Sequence, residues 1–205
     1  MNKIVDINHY RKNNKKDSKK MLFLSIIIGL LVGLFLWKYF VENIANYDVK
    51  IPQSANIKFN DKEPIGMTTA QVAVEFENFD DKPVLLYIYT TWCGVCTKNF
   101  EVFNEISREF QSTDLKVMAL AIDRNLEPQK LTNYLNNFGD FYFPPRYLLF
   151  KDGFIDFLLK KNIKYSGHIP FTVLINKSGE VITKYTGVKN KSYLRNKIIK
   201  ELYPN

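Results

Sequence analysis

The chain has 205 residues, 46% of them hydrophobic and 15% aromatic, enough apolar material for one packed domain with an appendage and too much for a largely disordered chain. Its formal charge of +8 divides unevenly: the first 20 residues carry seven Lys and Arg against Asp6 and Asp17, Lys38 adds one more, and residues 41–205 keep only +2. A nearly neutral globular part offers no basic face to a phosphate backbone, which argues against nucleic-acid binding.

Residues 1–20 read as a basic cytoplasmic tail. From Met21 to Trp37 no residue is charged, and the apolar character continues past Lys38 to Val41. That is about the 20 residues a helix needs to cross the hydrocarbon of a bilayer, with Trp37 and Tyr39 where an interfacial aromatic belt would lie. A cleaved secretory signal is the competing reading. The apolar run is long for one, and no small-residue cleavage site follows in Val41-Glu42-Asn43-Ile44-Ala45. We therefore expect a transmembrane anchor over 21–41, oriented by its lysine block with the N-terminus in the cytoplasm and the rest of the chain outside it. Residues 42–67, polar and interrupted by Pro52, are expected to form a tether.

The folded domain is expected over 68–205. Thr68 to Phe79 reads as a helix starting at a threonine cap, although Val72, Val74 and Phe76 also alternate as a strand would. Pro83 to Tyr89 is a continuous β-prone run of the kind buried on both faces of a parallel sheet. It leads directly into Thr91-Trp92-Cys93, after which Cys93, Cys96, Phe100, Phe103, Ile106 and Phe110 recur at helical spacing. Leu115 to Ile122 reads as a second buried strand, and Pro128 to Phe138 as a helix with proline near its start. This strand-helix-strand-helix order predicts parallel pairing. Residues 141–165 are less regular and read as an insertion, with a short strand at Tyr147 to Phe150 and a helix at Phe154 to Lys161. Pro170 to Ile175 and Val181 to Thr186 form an expected antiparallel hairpin. Leu194, Ile198 and Leu202 mark a closing helix, with Ser192 as its expected cap.

The chain's two cysteines lie in one stretch, Cys93-Gly94-Val95-Cys96, so neither has another thiol to pair with and a disulfide-stapled scaffold is excluded. A structural zinc site needs four ligands, and the only histidines are His9, expected across the membrane, and His168. Covalent haem attachment would require histidine where Thr97 stands. Redox use fits the position. A thiol at a helix N-terminus sits beside unpaired backbone N–H groups and the positive end of the dipole, which stabilise the thiolate that performs exchange. Cys93 is thus the expected nucleophile, and Cys96, one turn deeper, the resolving thiol.

Thr91-Trp92-Cys93-Gly94-Val95-Cys96 after an apolar strand, together with Gly167-His168-Ile169-Pro170-Phe171-Thr172 before Val173-Leu174-Ile175-Asn176, resembles the thioredoxin superfamily and within it the membrane-anchored TlpA/ResA-like thiol-disulfide oxidoreductases. The resemblance covers about Lys82 to Tyr203. It implies a three-layer α/β thioredoxin fold with a central mixed sheet, a cis-proline at Pro170, and substrate contacts from Trp92, the Ile169 backbone and Pro170. It also implies catalysis by the Cys93–Cys96 pair with no cofactor and no metal. Cysteine-containing exported clients, a membrane thiol electron-transfer partner and a place in cytochrome c maturation follow from the same resemblance. The chain departs from the pattern at two positions: Tyr87 stands where thioredoxin has a buried aspartate, and Asn99 where TlpA-like proteins often have a glutamate. Two other functions share this fold. One is a Sco-like copper chaperone using Cys93, Cys96 and His168, whose cysteines would however be spaced by three residues. The other is a redox-silent interaction module.

Overall fold

In the computed structural model of the protein the described residues are 26–38, 57–60, 63–79 and 81–203. The chain forms two compact units, Met1–Val49 and Lys50–Asn205. In the first, residues 26–38 form helix α1, and every one of them is exposed. Among the described residues no helix is long and apolar enough to cross a membrane. The ends of the expected anchor, 21–25 and 39–41, lie outside the described residues, as do the basic tail and residues 42–56 of the tether.

The second unit is built on a six-stranded sheet of order β1-β4-β3-β2-β5-β6. The strands are β1 (Ile65–Met67), β2 (Val84–Tyr89), β3 (Lys116–Ala121), β4 (Arg146–Leu148), β5 (Phe171–Ile175) and β6 (Val181–Thr186). β1, β4, β3 and β2 are parallel, whereas β5 runs antiparallel to β2 and β6 antiparallel to β5. Helices α2 (Thr69–Glu77), α3 (Gly94–Glu109), α4 (Pro128–Asn136), α5 (Phe154–Lys160) and α6 (Lys191–Leu202) fill the connections and the C-terminus. The parallel pairs need crossovers and the hairpin does not, as the element lengths in the sequence require.

Alternation along β2 divides the core. Val84, Leu86 and Ile88 pack with Val72 and Phe76 of α2 and with Phe157 and Leu158 of α5 on one face. On the other, the Tyr87 ring stacks on Phe103 of α3 at 4.8 Å between centroids, and Tyr89 meets Phe100 of α3 and Tyr134 of α4. The result is the expected α/β thioredoxin fold: a mixed sheet with helices on both faces. On the outer side of α3, Glu105 and Glu109 pair with Lys191 of α6, and Glu109 also with Arg195. A half-buried ion pair between Glu75 and Arg146 joins α2 to β4.

The helix reading of Thr68 to Phe79 holds. Thr68 caps α2 through a capping box in which Gln71 answers back to the cap N–H. Two expectations are corrected. The last residues of the expected tether form β1, where a Cβ on Gly66 would meet Leu149 and Tyr147 side-chain atoms at 2.7–2.8 Å, so a larger residue there would have to displace those side-chain ends. The closing helix is capped by Asn190, whose side-chain oxygen accepts the Tyr193 N–H at 2.8 Å, and not by Ser192, which lies inside the helix. Asn and Ser cap about equally well, and it is Asn190, with an extended backbone, that stands just outside the first turn.

Candidate active site

β2 ends at Tyr89, and four residues later the chain turns into α3 at Cys93, whose extended backbone makes it the N-cap residue. Its Sγ accepts the backbone N–H of Cys96 at 3.1 Å. A cap position normally holds an oxygen acceptor, so sulfur here occupies the place where a helix start stabilises negative charge. Cys93 is bonded to Cys96, with 5.2 Å between their Cα atoms. The two sulfurs differ in access: Cys93 is 8% exposed and Cys96 is wholly buried. Around them Trp92, 74% exposed, and Val95 form an apolar rim.

The second half of the site arrives from β5. Ile88 of β2 lies opposite Phe171, and continuing that antiparallel register sets Pro170 beside Tyr89 and Ile169 beside Thr90, at the end of the sheet where α3 begins. The Ile169–Pro170 bond is cis, and the Pro170 carbonyl accepts the Gly187 N–H at 2.9 Å. Pro170 is buried and Ile169 half-buried, whereas His168 is exposed with its Nδ1 3.0 Å from the Ser166 hydroxyl. Among the described residues no group of three or more His, Cys, Asp and Glu side chains is placed to hold a metal.

Support from below comes from residues the sequence reading did not assign to the site or noted only as departures from the family pattern. The Tyr87 hydroxyl, buried beneath α3, donates to the Cys96 carbonyl oxygen at 2.9 Å. Burial pushes its pKa far above the ordinary phenol value, so it remains a donor. The buried Asp123 carboxylate accepts the Thr91 N–H and the Thr91 hydroxyl, fixing the turn ahead of Trp92. A signal for Asp123 was present: a carboxylate directly after an apolar strand that runs parallel to the strand feeding the cysteines must sit at the same sheet end.

The AhpC/TSA family profile matches residues 57–201. The "Thiol:disulfide interchange protein DsbE" of Yersinia pestis is 24% identical over 187 residues, covering 88% of this chain and 90% of that protein. "Thiol-disulfide oxidoreductase ResA" of Bacillus cereus is 29% identical over 122 residues, 59% of this chain and 64% of its own. Among solved structures, a thioredoxin family thiol:disulfide interchange protein from Chlorobium tepidum superposes with a TM-score of 0.52 at 17% identity, covering 62% of this chain and 83% of that one, which concerns the fold.

Fold, paired cysteines and relatives together define a protein thiol-disulfide oxidoreductase. The chain belongs to the AhpC/TSA family of thioredoxin-like proteins, and DsbE and ResA proteins are among its relatives.

Proposed function

We propose that this protein works outside the cytoplasm as a membrane-tethered oxidoreductase on cysteine pairs of exported proteins. The observation that carries the reading is the asymmetry of the two sulfurs: Cys93 receives the helix-start N–H and borders an exposed apolar rim, and Cys96 is sealed behind it. Cys93 is the attacking or attacked sulfur and Cys96 the one that resolves the mixed disulfide. Trp92 and Pro170 flank an extended client segment that pairs with the Ile169 backbone. Such a pair needs only a second dithiol, here a membrane thiol electron-transfer partner, and no cofactor.

Tethering is supported by α1, where Leu30, Leu34, Phe35 and Trp37 are all more than half exposed, a condition that a bilayer relieves. The lysine block before Met21 sets the N-terminus in the cytoplasm. Cytochrome c maturation is the client pathway that fits the family resemblance.

The experiment is trapping in cells by the full-length chain. Cys96→Ser should accumulate mixed disulfides with exported proteins and Cys93→Ser should not, while a reporter active only outside the cytoplasm, fused after Asn205, should give signal. Trapping by neither variant would leave an interaction module in place of the enzyme. A reporter working only in the cytoplasm would overturn the location.

A further inference from the structure

Asn99 stands one turn after Cys96 on α3 and is 2% exposed. Helical side chains lean toward the helix N-terminus, so the residue at i+3 covers the turn carrying residue i. The Asn99 amide therefore lies over the Cys96 turn, and it also lies against the Tyr87 hydroxyl, whose pKa it holds down against burial. Donor counting orients it. The Tyr87 proton is committed to the Cys96 carbonyl oxygen, so Tyr87 has only lone pairs left to offer, and of the two ends of the amide only the N–H end can be turned toward them. Asn99 Oδ1 is then a buried acceptor with no donor. In the disulfide state Cys96 cannot supply one, because its Sγ is bonded to sulfur and its backbone N–H is directed at Cys93 Sγ.

We infer that Asn99 Oδ1 is the acceptor for the S–H group that Cys96 gains when the disulfide is reduced, so that this buried oxygen has a donor in the dithiol and none in the disulfide. The inference deepens the oxidoreductase reading and rests on it for its consequence. In the step concerned, a thiolate of an attacking protein dithiol bonds to Cys93 Sγ, the Cys93–Cys96 bond breaks, and its electron pair goes to Cys96 Sγ. Cys96 takes the proton of the dithiol's second thiol. That second sulfur, now a thiolate, attacks its own neighbour and releases Cys93 as a thiolate. The dithiol has lost two electrons, the Cys93–Cys96 pair has gained them, and a Cys96 S–H is left facing Asn99.

The titratable groups facing this cluster are phenols: Tyr87 and Tyr89 from β2, Tyr134 from α4 and Tyr185 from β6, all pushed up by burial. The Asp123 carboxylate, at the end of β3, is engaged by Thr91. An amide does not titrate, so Asn99 is a positioning residue that favours the dithiol at any pH where the fold persists. This is a different device from a buried carboxylate, which would exchange protons itself.

Two readouts test it on the full-length protein. In Cys93→Ser the chain retains a single thiol, Cys96, so its infrared S–H band is unambiguous. That band should lie at the lower wavenumber of a bonded thiol and move up on adding Asn99→Leu, with Asn99→Ala as the second variant should the leucine not fold. With both cysteines present, Asn99→Leu should shift the equilibrium against a reference dithiol about tenfold toward the disulfide, a potential about 30 mV more negative. A band that moves in neither variant, or an equilibrium unchanged or shifted toward the dithiol, overturns the inference. The two failures are separable. Normal exchange with an unmoved band and potential removes the Asn99 role alone, whereas a band that moves in a protein unable to exchange with any dithiol removes the oxidoreductase reading.

Discussion

Asp123 holds Thr91 twice, accepting its backbone N–H at 3.0 Å and its hydroxyl at 2.7 Å, and so ties the end of β3 to the turn that presents Trp92 and Cys93. Removing the carboxylate leaves two donors without a partner in a partly buried place. Asp123→Ala should therefore lower unfolding stability by about 2–3 kcal/mol in a urea titration. Thr91→Val, which loses only the hydroxyl, should cost about 1 kcal/mol. Equal effects of the two would mean that the backbone bond contributes nothing.

Cys93 should be the fast thiol. The N–H of Cys96 points at its sulfur in the disulfide, and the same donor is in place for a thiolate once the bond is broken. In Cys96→Ser, alkylation at Cys93 should follow a pKa below the roughly 8.5 of free cysteine, so the rate is already near its plateau at neutral pH. In Cys93→Ser, the buried Cys96 should react slowly until well above pH 8.5. The reverse order would exchange the two assignments.

The aromatic layer under α3 predicts the alkaline limit. Burial raises the pKa of Tyr87, Tyr89, Tyr134 and Tyr185 above the ordinary 10.0. The folded protein thus holds phenol protons that the unfolded chain gives up. Their contribution is intact below pH 10 and falls as pH rises above it, by about 1.4 kcal/mol per pH unit for each phenol kept protonated. The tyrosinate absorbance belonging to these four phenols should appear together with loss of folded structure in one steep transition. Tyr87→Phe should make that transition shallower. Gradual ionisation of all tyrosines before unfolding would show that the layer is open to solvent.

What was legible in the sequence is what is written locally. The apolar run through Tyr89, the helical spacing from Cys93 to Phe110 and the Thr68 cap each depend on neighbours within a few residues, and each stands in the fold as read. β1 was not legible, because three residues are too short for a period and only the approach of β4 makes Ile65–Met67 a strand. Asp123 and Asn99 were visible as residues but not as partners. For Asp123 the parallel order of the two strands carried the sheet end but not the partner, whereas Asn99 depends on a hydroxyl from β2, which the spacing along the chain does not carry.

The pairing of β2 with β5 joins the two halves of the site across the whole stretch from β3 to α5. As the chain leaves the ribosome, Cys93 and Cys96 emerge before any of β5 exists. At about 5–20 residues per second the delay is roughly 4–15 seconds, long against the formation of local helix. Through that interval the cysteines stand without Ile169 and Pro170 beside them, so nothing carried by β5 selects which oxidant or disulfide they meet. Discrimination between clients is therefore a property the molecule acquires late in its own synthesis, when β5 closes on β2.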